Sequence, residues 1–275
     1  MKVKSLRTLL NPLNVGYLLV AFYALVAILA PVLPLKDPKQ IYVDDMLARP
    51  SREFLFGTDI NGMDIFSRTI YAARLDLSIA FGAVFLALVL GIAIGALTGF
   101  VGGFIDSFVG RILDLFQAYP VLILALAISG IASDSLLTVV FIITLVDAPV
   151  FIRLVRSEVI KIKSALFVES AKALGNNDFR IVFRHILPIA IPPVLIQIPI
   201  RIAYSINIVA AMAFVGVGIQ PPTPEWGSMI KVGTPYISSG EWWIAIFPGL
   251  AIFGICLALN LISDELQKKS LRSRS

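Results

Sequence analysis

The sequence predicts an all-α, polytopic membrane protein, a bundle of six transmembrane helices. Its composition is 58% hydrophobic and only 15% charged, with a mean hydropathy of +0.89. Soluble domains are roughly half apolar and a quarter charged. In addition, six apolar runs approach the roughly 20 residues that a helix needs to cross a bilayer. The 275 residues leave no room for a large soluble domain beside these runs.

The six runs are predicted as spans at residues 14–35, 77–101, 113–132, 136–156, 189–219 and 244–264. The first run ends in PVLPL and lacks a small-residue cleavage site, so it is expected to remain as a helix. An even number of spans places both termini on the same side. Basic residues near both ends, Lys2, Lys4 and Arg7 with four more between 268 and 274, predict that this side is the cytoplasm.

The spans suggest a division of the chain into three parts. Residues 1–76 form an N-terminal tail, the first helix and an external loop. Residues 77–265 form the core, which includes a cytoplasmic loop at 157–188. Residues 266–275 form a basic cytoplasmic tail.

Within the cytoplasmic loop, the stretch VESAKALGNNDFRIVFRHILP at 168–188 predicts two short amphipathic helices. Apolar residues recur at helical spacing in both halves: Val168, Ala171 and Leu174, then Phe179, Val182, Phe183 and Ile186. Gly175 suits the left-handed position that ends a helix, and Asn177 or Asp178 suits the cap of the next one. Pro188 is expected to end the second helix.

Helices of about three turns are marginal in water, so this hairpin needs a surface to pack against. From periodicity alone, that surface could be the protein's own bundle. It could also be a separate partner.

Two charged residues fall near the membrane midplane, where an unpaired charge costs about 2.5–3.5 kcal/mol. Asp147 and Arg201 lie at similar depth on successive spans, which predicts a salt bridge. They could line a substrate pathway together with Gln197, Tyr204 and Asn207, which share roughly one helix face with Arg201. Alternatively, they form a buried pair that only fixes helix packing.

No catalytic or metal site is expected in this chain. No G-x-x-x-x-G-K-[ST] phosphate loop occurs in the sequence, so ATP hydrolysis is expected in separate subunits. His185 is the only histidine and Cys256 the only cysteine, and they are far apart in sequence. This pattern disfavours both a Ser-His-Asp site and a protein-ligated metal.

The hairpin residues also resemble those of a known family. Glu169-Ser170-Ala171, Gly175 and Leu187-Pro188 are similar to the Glu-Ala-Ala loop of type I ABC-importer permeases. Three further stretches, FGTDINGMDIFSRTIYAARLDLSIA, GGFIDSFVGRILDLFQAYP and FVGVGIQPPTPEWGSMI, extend the resemblance to the dipeptide, oligopeptide and nickel permease group. Ser170 replaces an alanine of the pattern, and Met63 replaces the usual arginine.

The resemblance implies a permease subunit that moves di- or oligopeptides across a bacterial or archaeal cytoplasmic membrane. Its partners would be a second homologous permease, two cytoplasmic ATPases docked on the hairpin, and an extracytoplasmic binding protein. ATP and Mg²⁺ would be used by the ATPases, with no cofactor on this chain. Nickel or another chelated metal is an alternative cargo. A secondary transporter and a membrane scaffold are alternatives of other classes, although the sequence shows no inverted repeat.

Overall fold

A computed structural model describes residues 11–132 and 135–272. The N-terminal basic residues and Arg274 lie outside these ranges. Within them the chain forms helices joined by loops, and the α-helices in chain order are α1 (Pro12–Leu29), α2 (Ile65–Val101), α3 (Gly103–Gln117), α4 (Val121–Ser129), α5 (Leu136–Lys163), α6 (Leu166–Ala173), α7 (Asp178–Ile181), α8 (Leu187–Leu195), α9 (Ile198–Val215), α10 (Trp226–Gly233) and α11 (Trp243–Arg272).

Five of these helices, α1, α2, α5, α9 and α11, are long and apolar enough to cross a membrane. The count among the described residues rises to six if the pair α3 and α4 forms one span. The predicted helical bundle is therefore confirmed.

The third span, predicted at 113–132, is not one continuous helix, because α3 and α4 meet at an angle of 88°. Pro120 lacks a backbone N–H and disfavours a helical conformation at the residue before it, so the helix ends there and restarts at Val121. Two ion pairs join α3 to α5: Arg156 Nη2 lies 2.6 Å from Asp106 Oδ2, and Arg153 Nη2 lies 2.5 Å from Asp114 Oδ1.

The second span begins twelve residues earlier than the predicted position 77, at Ile65. Asp64 caps this helix, its carboxylate accepting a hydrogen bond of 2.8 Å from the Ser67 backbone N–H. The run predicted at 189–219 is also divided, since α8 ends at Leu195 and α9 begins at Ile198.

Pro188 does not end the second hairpin helix, contrary to the sequence prediction. A π-helical turn at Val182–Ile186 connects α7 to α8, and the Leu187 N–H donates to the Val182 carbonyl. Pro188 then lies in the first turn of α8, where a missing backbone N–H is tolerated.

The centre of the bundle is the packing of α2 on α5, the most extensive helix contact in the described ranges. Gly91, Gly95 and Gly99 occur one turn apart on α2 and face α5. A Cβ added at Gly95 would lie only 2.6 Å from the Ile152 carbonyl oxygen. Small residues allow such a close approach of two membrane helices, which is how this pair gains its van der Waals contact. The partner residue Phe151 is fully buried.

Candidate functional site

The hairpin at 168–188 has the turn that its sequence predicts. Gly175 follows α6 with φ of +80°, a conformation that residues with a Cβ rarely adopt. The Asn177 side chain then caps α7 by accepting a hydrogen bond of 2.8 Å from the Arg180 N–H. Of the two predicted caps, Asn177 is therefore the one used.

One face of the hairpin packs on the protein's own bundle. Val168 and Ala171 of α6 are buried, as are Ile181, Ile186 and Leu187 after the turn. These residues belong to the same apolar cluster as the contact between α2 and α5. The bundle therefore provides part of the surface against which the hairpin packs.

The opposite face is exposed and largely apolar. Leu174, Phe179 and Phe183, which the periodicity groups with the buried residues, instead have 83%, 70% and 56% of their surface exposed. Phe179 and Phe183 line one side of an open groove whose other side is formed by α2. Glu169 and Ser170 are exposed as well. We call Leu166, Glu169, Ser170, Leu174 and Phe179 the hairpin surface. The hairpin thus still presents apolar side chains that nothing in the described chain covers.

At mid-bundle, the predicted ion pair between Asp147 and Arg201 is present. Asp147 has no exposed surface. Its Oδ1 accepts a hydrogen bond of 2.7 Å from Arg201 Nε and a second one from Arg201 Nη2. Its Oδ2 accepts 2.7 Å from the Ser205 hydroxyl. The carboxylate is therefore satisfied at both oxygens in a buried setting.

The sequence prediction missed Ser205. A signal was available, because Ser205 lies four residues after Arg201 and so on nearly the same side of α9. A hydroxyl one turn from a midplane charge is a suitable second ligand for the same carboxylate.

Arg201 and Tyr204 both line a cavity of about 400 Å³ formed by α4, α5 and α9. The guanidinium carbon of Arg201 lies 4.5 Å from the centre of the Tyr204 ring. Gln117 and Tyr119, at the bend before α4, line the same cavity. The cavity thus contains one guanidinium group, two tyrosine hydroxyls and one glutamine amide. Together these groups can bind a carboxylate and peptide groups.

The other two predicted pathway residues do not join this cavity. Asn207 is exposed on another side of α9, where its amide donates to the Ala203 carbonyl and to Cys256 Sγ of α11 at 3.2 Å. The reason is geometric, since six helical residues place Asn207 about 120° around α9 from Arg201. Gln197 lies in the break between α8 and α9, outside the cavity lining.

Together, the bundle, its ion-paired centre and its exposed hairpin define a multi-pass membrane permease subunit. The family model described as "Binding-protein-dependent transport system inner membrane component" matches residues 91–272, which include the hairpin and the ion pair. The chain belongs to this family and is a multi-pass inner-membrane protein.

Several curated relatives align along most of the chain. The dipeptide transport system permease protein DppC of Alkalihalophilus pseudofirmus is 39% identical, covering 92% of this chain and 83% of its own length. The di/tripeptide transport system permease protein DppC of Pseudomonas aeruginosa is 35% identical, with coverage of 92% and 85%. The glutathione transport system permease protein GsiD of Shigella flexneri is 39% identical, with coverage of 82% and 74%.

A solved structure has the same fold. A chain of the MetNI methionine ABC transporter, in an inward-facing conformation, superposes with a TM-score of 0.56 at 20% identity. The match covers 72% of this chain and 96% of that chain. The predicted fold class, an all-α membrane helical bundle, is therefore confirmed, and a chain of this ABC transporter shares it.

Proposed function

We propose that this chain is the permease subunit of an ATP-driven importer that moves di- or oligopeptides across the cytoplasmic membrane. The relatives described above are named for dipeptides, di/tripeptides and glutathione, itself a tripeptide. This supports a peptide cargo over the nickel alternative. In this proposal, residues 77–265 form the core of the permease, with the coupling loop at 157–188.

The exposed hairpin surface is the observation that carries the coupling role. When a partner covers exposed leucine and phenylalanine side chains, the burial stabilises the complex by about 25 cal/mol per Å² of apolar area. An ATPase docked there would move the hairpin when it closes on ATP. Because Val168 and Ala171 of α6 are buried against the bundle, that motion would reach the contact of α2 with α5.

The proposed assembly contains this chain, a second homologous permease, two ATPases and an extracytoplasmic binding protein. ATP and Mg²⁺ are used by the ATPases, because this chain lacks a phosphate-binding loop. A cytoplasmic hairpin also places both termini in the cytoplasm if six spans form.

Arg201 and Tyr204 are proposed to meet the substrate in the cavity at mid-bundle. Arg201 keeps part of its surface open while it pairs with Asp147, so it can attract the carboxylate end of a peptide. Asp147 then holds the Arg201 guanidinium in position through the hydrogen bonds between them. Gln197 and Asn207 enter the pathway in this proposal only if the second permease encloses their side of α9.

The test is peptide uptake by proteoliposomes that contain the purified transporter and its binding protein. We expect labelled dipeptide to accumulate when ATP is supplied to the ATPase side, and to keep accumulating when ionophores collapse ion gradients. Uptake that needs a proton gradient and not ATP would instead identify a secondary transporter.

A pair of substitutions at the hairpin turn tests the coupling. Gly175→Val should abolish peptide-stimulated ATP hydrolysis, because a β-branched residue is strained at this positive φ. Gly175→Asn is the matched control, since asparagine adopts the left-handed conformation readily. No side chain or backbone atom lies within 4 Å of an added Cβ, so the two variants differ in backbone preference and not in packing. Equal activity of both variants would contradict the coupling role.

A further inference from the structure

Two acidic residues meet at the start of α10, at the end of the bundle opposite the hairpin. Glu225 caps α10: its Oε1 accepts a hydrogen bond of 2.8 Å from the Gly227 N–H, and its Oε2 accepts 2.6 Å from the Ser228 N–H. The next residue, Trp226, donates its backbone N–H to Asp76 Oδ2 of α2 at 3.1 Å. The two carboxyl groups therefore bind three consecutive backbone N–H groups at the start of α10.

Both acids are removed from solvent. Asp76 is 2% exposed and Glu225 is 1% exposed. In the ranges that the structure describes, no lysine, arginine or histidine nitrogen lies within 4.0 Å of either carboxylate. The second oxygen of Asp76, Oδ1, is buried and has no hydrogen-bond partner there.

The ionisable residues on the surrounding helices are engaged elsewhere or lie farther along. Arg68 of α2 donates to the backbone carbonyls of two loops. Lys231 of α10 is exposed, and α1 presents the Tyr23 ring, which packs edge-on against the Trp226 ring. Beyond Tyr204 in α9, and before Cys256 in α11, those two helices carry no ionisable residue.

Two buried carboxylates without a cation cannot both ionise at low cost, since each charge is desolvated and repels the other. A buried carboxyl oxygen without a donor adds a further penalty. One proton on the pair removes one of the two charges. Burial raises the pKa of Glu225 to about 7, against the opposing effect of its hydrogen bonds from Ser228 and Gly227.

We propose that Asp76 and Glu225 form a buried proton-binding site that fastens α10 to α2. Glu225 binds the proton at acidic pH and releases it at alkaline pH. Release places a negative charge in the buried site beside Asp76 and weakens the hold of α10 on α2. Trp226 supports the protonated arrangement, because its indole N–H donates to the Thr69 carbonyl of α2 at 2.9 Å.

The sign of the pH effect follows from the raised pKa of Glu225. A carboxyl group whose folded pKa lies above its usual value of 4.5 contributes stability that is complete below that value and is lost as the pH rises through about 7. The wild-type protein should therefore unfold at a lower temperature at about pH 8.5 than at about pH 5.5.

The test compares thermal unfolding of the purified transporter in lipid nanodiscs at these two pH values. Glu225→Gln keeps the size of the side chain and one acceptor for the backbone N–H groups at the start of α10, and it stays neutral. We expect this variant to lose most of the pH-dependent drop of several degrees, and to be at least as stable as wild type at alkaline pH. The exposed acid Asp44 provides the control, because Asp44→Asn should leave the drop unchanged.

Infrared spectroscopy provides a second readout. A protonated carboxyl group gives a distinct C=O stretch. Part of this band should disappear between about pH 5.5 and about pH 8.5 in the wild-type protein, and the band should not change with pH in Glu225→Gln. Asp76→Asn keeps the buried Glu225, so it should retain a pH-dependent band, and it serves if Glu225→Gln fails to assemble. Absence of a pH-dependent band from wild type, or the same pH-dependent drop of the unfolding temperature in wild type and Glu225→Gln, would overturn the proposal.

Discussion

Removal of the Asp147 carboxylate should leave a guanidinium without its partner in the middle of the bundle. Truncating one member of a buried ion pair costs about 3–5 kcal/mol. Arg201 keeps 17% of its side-chain surface open toward the cavity, where water can reach it. We therefore expect Asp147→Ala to lower the free energy of unfolding by an amount near the lower limit, about 3 kcal/mol.

The double variant Asp147→Leu/Arg201→Met removes both charges at once. It therefore separates the cost of leaving one charge unpaired from the loss of the ion pair itself. Replacing both members by apolar residues of similar volume is often neutral or stabilising, so this variant should recover most of the lost free energy. The measurement is unfolding in mixed micelles with increasing dodecyl sulfate, followed by tryptophan fluorescence. A double variant that loses the sum of the two single-variant effects would refute the reasoning, because the residues would then act independently. The folded double variant should still fail to transport peptide.

Two further predictions concern packing and hydrogen bonding. Gly95→Ala should cost about 1–3 kcal/mol, because its Cβ would press on the Ile152 carbonyl. Gly82→Ala is the matched control, since an added Cβ there has no neighbour within 4 Å; equal stability of the two in the same unfolding assay would contradict this packing. Ser205→Ala should cost about 1.5–3 kcal/mol by leaving Asp147 Oδ2 without a donor. Ser205→Thr keeps the hydroxyl, so the same loss in both variants would argue against that hydrogen bond.

Local features were predictable from the sequence because local chemistry determines them. Long apolar runs locate spans, and the turn at Gly175 with its cap at Asn177 follows from backbone and side-chain preferences of those two residues. The contact between Asp147 and Arg201 was predictable for another reason. Two opposite charges at equal depth on successive spans stabilise each other, so a contact between them is expected.

Features that depend on neighbouring helices were not predictable in this way. The early start of α2 and the helical path through Pro188 depend on a cap and on a π turn that hydropathy does not register. The periodicity of the hairpin groups Phe179 with Val182, yet Val182 is buried and Phe179 is 70% exposed. An amphipathic pattern identifies apolar side chains without indicating whether the same chain or a partner covers them. The bend at Pro120 did carry a sequence signal, in the proline itself.

The most direct measurement is the amount of ATPase that purifies with the permease when the tip of the hairpin surface is altered. Leu174→Glu places a charge on a residue that is 83% exposed, so it leaves the permease fold intact. Leu271→Glu is the matched control, on a leucine that is 69% exposed near the end of α11. We expect Leu174→Glu to reduce the bound ATPase and its peptide-stimulated hydrolysis at least about tenfold, which corresponds to about 1.4 kcal/mol of docking free energy, while Leu271→Glu behaves as wild type. Wild-type ATPase binding and stimulation in Leu174→Glu would contradict the coupling role of the hairpin.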